Sequence, residues 1–255
     1  MATLRIYLAG RISIEYGEKL VEESDLAGRQ GRLAFAFLVS ERQQPVTKEQ
    51  LISVVWPGDA PREVETALSA ILSKLRSALK HVAPVATCAV KMQSGTIQMD
   101  LPPDAWIDLE HAANSIDEAE GAMRAGDVRR AWNHAVAVVI IARRPFLPGA
   151  DAPWIEARRT WLRSLRVRGL HALSRITAIN GEHALAVQYA AEIIEVEPFQ
   201  EIGYRLLMQM HAEMGNRGEA LRVFGKCREL FREELGAAPS QETERVFLDI
   251  LRAGQ

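Results

Sequence analysis

Residues 66–80, TALSAILSKLRSALK, carry three cations, Lys74, Arg76 and Lys80, and no acidic residue. At 100° per residue, Leu68, Ile71, Leu72, Leu75 and Leu79 fall in one apolar stripe. Thr66, Ser69, Ala70, Ser73, Ser77 and Lys80 point the other way, with Lys74 and Arg76 at the two edges of that face. A helix built like this buries its leucines and presents a slim polar surface edged by positive charge. Short side chains permit close approach to the floor of the DNA major groove, and flanking cations meet phosphates. Taken alone, the segment reads more readily as an ordinary amphipathic surface helix, so its neighbours have to decide.

Other chemistry is poorly supported. The six histidines show no His-Glu-x-x-His spacing and no Cys/His cluster fit for zinc. No Gly-x-Ser-x-Gly elbow and no Gly-x-x-x-x-Gly-Lys loop occurs, and AGRQGR precedes a helical pattern in the wrong register for a nucleotide. Glu110 and His111 form a pair more typical of a protein surface than of catalytic machinery. We therefore expect no enzyme, no metal site and no cofactor. Cys88 and Cys227 stand far apart in sequence, which fits reduced structural thiols better than a disulfide framework.

The chain has 255 residues, 48% hydrophobic and 25% charged, enough apolar material for one large domain or two ordinary ones. No run of 18 apolar residues is present, and the start, MATLRIYLAGRISIEYGEKL, lacks a signal-peptide pattern. A cytoplasmic protein with no membrane partner is expected. The formal net charge is −2. Residues 1–100 hold 12 Lys/Arg against 11 Asp/Glu, or +1, and the remainder holds 19 against 22, or −3. Any nucleic-acid contact must come from a local patch such as residues 66–80, not from a basic domain.

Around that helix the pattern is informative. Residues 3–23 alternate as short antiparallel strands with tight turns. Gly31 to Glu41 turns helical, and PVTKEQLISVVW follows with Thr47 as N-cap and Gln50 three residues later, a capping box. WPGDAP stops that helix, residues 66–80 form the next, and APVATCAVKMQSGTIQM reads as a β-hairpin turning at Ser94-Gly95. Sheet, three helices and hairpin is the order of a winged helix-turn-helix, whose third helix enters the major groove. Pro102-Pro103 suits neither a helix nor a strand interior. It divides the chain into a DNA-binding domain at 1–101 and a helical domain at 104–255.

The second part is a helical array. Leu173, Gly181, Ala186, Ala190 and Pro198 occupy positions of a tetratricopeptide unit, and a 34-residue step gives Leu207, Gly215, Ala220 and Phe224. Glycine ends the first helix of each pair, and alanine lets the second pack closely. An earlier pair is expected over 108–142, with Gly126-Asp127 at its turn and Ala131 and Ala135 at the crossing, followed by a long helix from Trp154 to Asn180. Trp106, Trp132, Trp154 and Trp161 are expected to pack in the core and between helices. The fold class is thus mostly α, a winged helix-turn-helix with a small sheet and hairpin wing followed by a tetratricopeptide-like array.

AGRQGRLAFAFLVSE, PVTKEQLISVVWPGDAP and ALSAILSKLRSAL together resemble the OmpR-like DNA-binding domain of SARP-type antibiotic-regulatory activators. AMRAGDVRRAW, RRPFLPGADAPWIEARR, EPFQEIGYRLLMQMHAEMGNRGEALRVF and FREELGAAPSQETERVF resemble the bacterial transcriptional activator domain that follows it. The similarity runs from about residue 4 to residue 252. It implies a transcription factor that binds double-stranded DNA at direct repeats as a side-by-side homodimer and recruits RNA polymerase, and so a place at the bacterial nucleoid.

Carried over by position, Lys74 and Arg76 would contact phosphate or bases. Thr66, Ser69, Ala70, Ser73 and Ser77 would line the groove-facing surface, Lys80 and Lys91 would touch backbone, and Trp56 would pack as a core aromatic. The wing departs from the family: KMQSGTIQM keeps Gly95 but has no arginine, places Thr96 where an aromatic is common, and offers Lys91 as its one cation. Weaker or differently specified wing contact is expected. The alternative function is a protein-interaction adaptor whose winged helix is impaired in DNA binding. The helical part would dimerise, bind polymerase or receive an effector in its groove, and the residues do not choose among these.

Overall fold

The computed structural model describes residues 3–58, 60–84, 88–93 and 95–253. They form two compact units, Met1–His111 with Arg144–Thr160, and Ala112–Arg143 with Trp161–Gln255. The Pro102–Pro103 step lies inside the first of these.

The first unit opens with β1 (Leu4–Tyr7), β2 (Ser13–Tyr16) and β3 (Lys19–Glu22), an antiparallel meander in which Leu4, Ile6, Ile14 and Val21 turn inward. Then come α1 (Gly28–Ser40), β4 (Val46–Thr47), α2 (Lys48–Val55), α3 (Val64–Val82), β5 (Ala89–Gln93), β6 (Thr96–Asp100) and β7 (Trp106–Ile107). Helix α1 begins three residues before the Gly31 start expected from sequence. A Cβ on Gly31 would sit 1.6 Å from the Leu26 carbonyl oxygen, so this glycine answers a demand for space. The capping box at α2 forms as read: the Thr47 hydroxyl accepts from the Gln50 N–H at 3.2 Å, and the Gln50 side chain accepts from the Thr47 N–H at 2.9 Å.

Two sheets result. In the first, the order is β3-β2-β1-β7, with β7 parallel to β1 and Arg5 opposite Trp106. In the second, β4, β6 and β5 are antiparallel neighbours. Asp108 follows β7 and is fully buried. Its carboxylate accepts the backbone N–H groups of Leu8, Ala9 and Leu109 at 2.8–3.0 Å. Burial raises its pKa above the usual carboxylate range, against the opposing pull of those donors and of the Arg144 charge. The returning segment is held similarly. Leu147 has φ +46, a strained backbone for a branched residue, and the Arg159 guanidinium donates to the carbonyls of Phe146, Leu147 and Ala150 at 2.7–3.0 Å.

The remaining helices are α4 (Asp108–Arg124), α5 (Val128–Ala142), α6 (Pro153–Ile179), α7 (His183–Val196), α8 (Glu201–Glu213), α9 (Arg217–Leu235) and α10 (Gln241–Arg252). The expected helix pairs, turns and long helix are present. Gly126, Gly181 and Gly215 each hold positive φ between paired helices, where a side chain would be strained. Leu173, Ala186, Ala190, Leu207, Ala220 and Phe224 are all buried. One further repeat position escaped the sequence reading. Gly169 and Gly203 stand one repeat apart, and each lies where two helices touch. A Cβ on Gly169 would meet Val139 Cγ2 at 2.9 Å, and one on Gly203 would meet Ile194 Cγ1 at 2.8 Å and the Ala190 carbonyl oxygen at 3.2 Å.

That geometry gives a paired prediction. Gly203→Val overpacks the α7–α8 crossing and should destabilise the helical unit by about 1–3 kcal/mol. Gly225→Ala, mid-helix in α9 with open space where its Cβ would go, should stabilise it by roughly 0.5–1 kcal/mol. Denaturant unfolding of the two variants followed by circular dichroism checks both signs.

Candidate nucleic-acid interface

Helix α3 has no glycine or proline along its 19 residues, and its stripe is buried as the spacing requires: Leu68, Leu72, Leu75, Leu79 and Val82 are all at most 2% exposed. Ile71, expected in that stripe, is only half-buried at its edge. Helix α3 packs on α1, β2, β3 and β5. The opposite face is open. Thr66, Ser69, Ala70, Ser73, Lys74, Ser77 and Lys80 are exposed. Lys48 reaches Glu65 at 3.1 Å, joining α2 to the first turn of α3 and neutralising the acid nearest this face.

The cations divide into two kinds. Lys74, Ser77 and Lys80 border one open depression together with His81 and Asp25. Arg76 is half-buried, and its Nε donates to the Val90 carbonyl oxygen at 3.0 Å, tying α3 to the wing strand β5. Lys91 projects from the same strand, exposed, and pairs with Asp100 across the hairpin at 2.5 Å. The expected hairpin is present, with Lys91 opposite Gln98 and Gln93 opposite Thr96, and the Thr96 hydroxyl donates to the Gln93 carbonyl. Gly95 holds φ +81 in its turn. Ser94 and residues 85–87, which the sequence reading also placed in the hairpin region, lie outside the described residues.

Other residues singled out from sequence fall into packing roles. Trp56 caps α2 and is half-buried. Trp106 stacks at a tilt on Tyr7, with centroids 5.1 Å apart, and lies beside His111. Trp154 meets Phe37 and Phe146 edge-on. Trp132 meets Tyr189 edge-on and also borders a cavity of about 530 Å³ with Ile176 and Leu185. Glu110 takes a two-point hydrogen bond from Arg42 at 2.7 and 2.8 Å, and the Gln98 amide donates to the Arg42 carbonyl. Neither this pair nor the role of Asp108 has a local sequence signal, because the partners are 68 to 100 residues apart. Both cysteines are free and buried. Burial pushes the Cys88 thiol up to about 12, with the Asp100 charge adding to it, and the Cys227 thiol up to about 11, so both stay protonated and unreactive near neutral pH. Among the described residues no cluster of His, Cys, Asp and Glu could hold a metal ion, and no helix is long and apolar enough to cross a membrane.

Sheet, three helices and hairpin, then a repeat array of helix pairs, have the arrangement of a winged helix-turn-helix followed by a tetratricopeptide-like array. Residues 107–251 match the family model described as "Bacterial transcriptional activator domain", and the chain belongs to that family. It is 26% identical over 224 residues to the regulatory protein AfsR of Streptomyces coelicolor, covering 88% of this chain and 22% of that protein. It is 27% identical over 252 residues to AfsR of Streptomyces griseus, covering 99% of this chain and 25% of that protein. The chain thus spans about a quarter of the length of the curated relatives it matches. EmbR of Mycobacterium tuberculosis, solved in complex with a low-affinity phosphopeptide, shares the fold with a TM-score of 0.88 at 20% identity, over 99% of this chain and 66% of that one.

The two edges of α3 differ in what they hold, which stability measurements will separate. Arg76→Ala removes a bond from helix to wing and should cost about 1 kcal/mol. Lys74→Ala, on an exposed side chain, should change stability by less than about 0.5 kcal/mol. Equal midpoints for the two variants in chemical denaturation would contradict this division.

Proposed function

We propose that the chain is a sequence-specific DNA-binding transcriptional regulator, an activator that reads repeated promoter sites in the bacterial cytoplasm and recruits RNA polymerase. The observation that carries the reading is the open face of α3. Small side chains run between Ser69 and Ser77 with no acid on that face, while the leucines are fully committed to the interior. Such a helix can lie in the major groove, where Thr66, Ser69, Ala70, Ser73 and Ser77 approach base edges. Lys74 and Lys80 contact phosphates, displacing condensed counterions. Arg76 keeps its Nε on the Val90 carbonyl and offers its remaining N–H donors to the same backbone, and Lys91 exchanges Asp100 for a phosphate.

In this reading residues 1–101 carry DNA recognition and residues 104–255 the activator function. A single winged helix makes few phosphate contacts, so tight binding calls for two protomers on adjacent repeats, each reading one half-site. The adaptor reading draws support from one feature, the engagement of Lys91 with Asp100, which leaves the wing without a free cation among its described residues.

Selection from fragmented genomic DNA, followed by sequencing of what the protein retains at two salt concentrations, tests the proposal. A shared motif repeated at near-helical spacing is expected. Retention of all fragments at low salt and none at higher salt would favour the adaptor. On the motif so found, the double variant Lys74→Ala/Lys80→Ala should reduce the slope of log affinity against log salt by about 2, near 0.9 per phosphate contact. An unchanged slope in the folded double variant would remove these lysines from the interface.

A further inference from the structure

The first helices of successive pairs, α6 and α8, line a cavity of about 360 Å³ in the second unit together with α10. That volume is at the lower end of those that hold small organic ligands. Part of its wall is apolar, formed by Leu206 and Met210, both buried, and half-buried Ile202, while polar side chains supply the larger share of the lining. Its polar groups are His171, Arg175, Arg205 and Gln209, with Glu213 and Glu242 also on the lining.

The lining carries two arginines and two glutamates, and their pairing is uneven. Helix α6 carries six arginines. Five are in ion pairs: Arg158 with Glu41, Arg159 with Glu156, Arg163 with Glu197, Arg166 with Glu192, and Arg168 with Glu120 and Asp117. Arg175 alone has no carboxylate partner among the described residues. Of the nearby acids, Glu242 is engaged by Arg205 at 3.3 Å, and Glu213 lies 3.6 Å from His183 Nδ1 without a hydrogen bond between them. Arg205 is further engaged by Glu201 at 4.0 Å and by the Thr243 hydroxyl at 3.1 Å. The Arg175 charge is felt by its neighbour. Burial lowers the His171 pKa and Arg175 pushes it the same way; Glu120, held by Arg168, opposes, and Arg205 adds a smaller push downward.

We propose that this cavity binds a small amphipathic carboxylate, its anionic group paired with Arg175 and its apolar body against Ile202, Leu206 and Met210. An exposed guanidinium with no carboxylate partner among the described residues, at the edge of a cavity with an apolar patch, suits one anionic head on a short hydrocarbon or aromatic body. The site lies wholly in the helical unit, and its occupancy can be measured with no DNA present, so it stands or falls separately from the reading of α3.

Titration calorimetry of the full chain with octanoate and 4-phenylbutyrate, and with their neutral amides, tests it. At least one acid should bind saturably, one per chain, with Kd below about 1 mM, and the matching amide should not. Arg175→Ala should weaken binding at least about tenfold, and Arg175→Lys should lose less. Gln209→Trp, an exposed position on the cavity rim, should block binding with Arg175 intact. The His171 pKa, followed by NMR, should rise on binding of the acid and in Arg175→Ala, and stay unchanged in Arg129→Ala, which borders a different cavity. Failure of both acids to bind saturably, equal binding of the amides, or wild-type affinity in Arg175→Ala would each overturn the proposal.

Discussion

Leu68, Leu72, Leu75 and Leu79 fix the rotation of α3, and the rest of the surface chemistry of the first unit follows from that. Burying a leucine contributes about 1.5–3 kcal/mol, so four of them favour one orientation by roughly 6–12 kcal/mol. The Arg76–Val90 bond adds about 1 kcal/mol, and the Lys48–Glu65 pair at the surface adds less than that. The polar face is therefore determined by subtraction: whatever the leucines do not occupy is turned outward. Small residues on that side keep the helix thin without weakening its attachment. Stability of the fold is carried by the leucine side of the helix, and the exposed side contributes little to it.

The helical unit obeys a different constraint, the closeness of backbones. Alanine and glycine at the crossings, Ala190 and Gly203 above all, bring α7 and α8 near enough that side chains from the next pair complete the interior. Each pair is thus stabilised by its neighbours, as in other repeat architectures. Paired arginines along α6 reinforce the stack from outside, since Glu192 receives both Arg143 and Arg166. This carboxylate stays below the usual range because two guanidiniums outweigh its burial.

Where the sequence was informative, periodicity was the reason. The leucine stripe, the capping box at Thr47 and the glycine-alanine spacing are local patterns, and each maps directly onto one helix. The family was legible for the same reason, through the order of such patterns along nearly the whole chain. Less legible were features made by residues distant in sequence. Arg76 reads as a free flanking cation, yet its Nε is occupied by Val90 because β5 folds back beside α3. Glu110 reads as surface decoration and is gripped by Arg42. The charge of Arg175 stands out only once the partners of the other arginines on its helix are known. Gly169 and Gly203 could have been found, because they repeat at the same period as the residues that were.

The parallel pairing of β7 with β1 has a consequence for synthesis. Ile6 waits for Ile107, and Gly10 waits for Pro145, whose carbonyl accepts its N–H at 2.8 Å. At about 5–20 residues per second, the outer edge of β1 stays unpaired for roughly 5–20 s as the nascent chain emerges. An edge with open N–H and C=O groups is a template for wrong partners. Strand β1 is thus among the earlier elements of this unit to be synthesised and among the last to be enclosed.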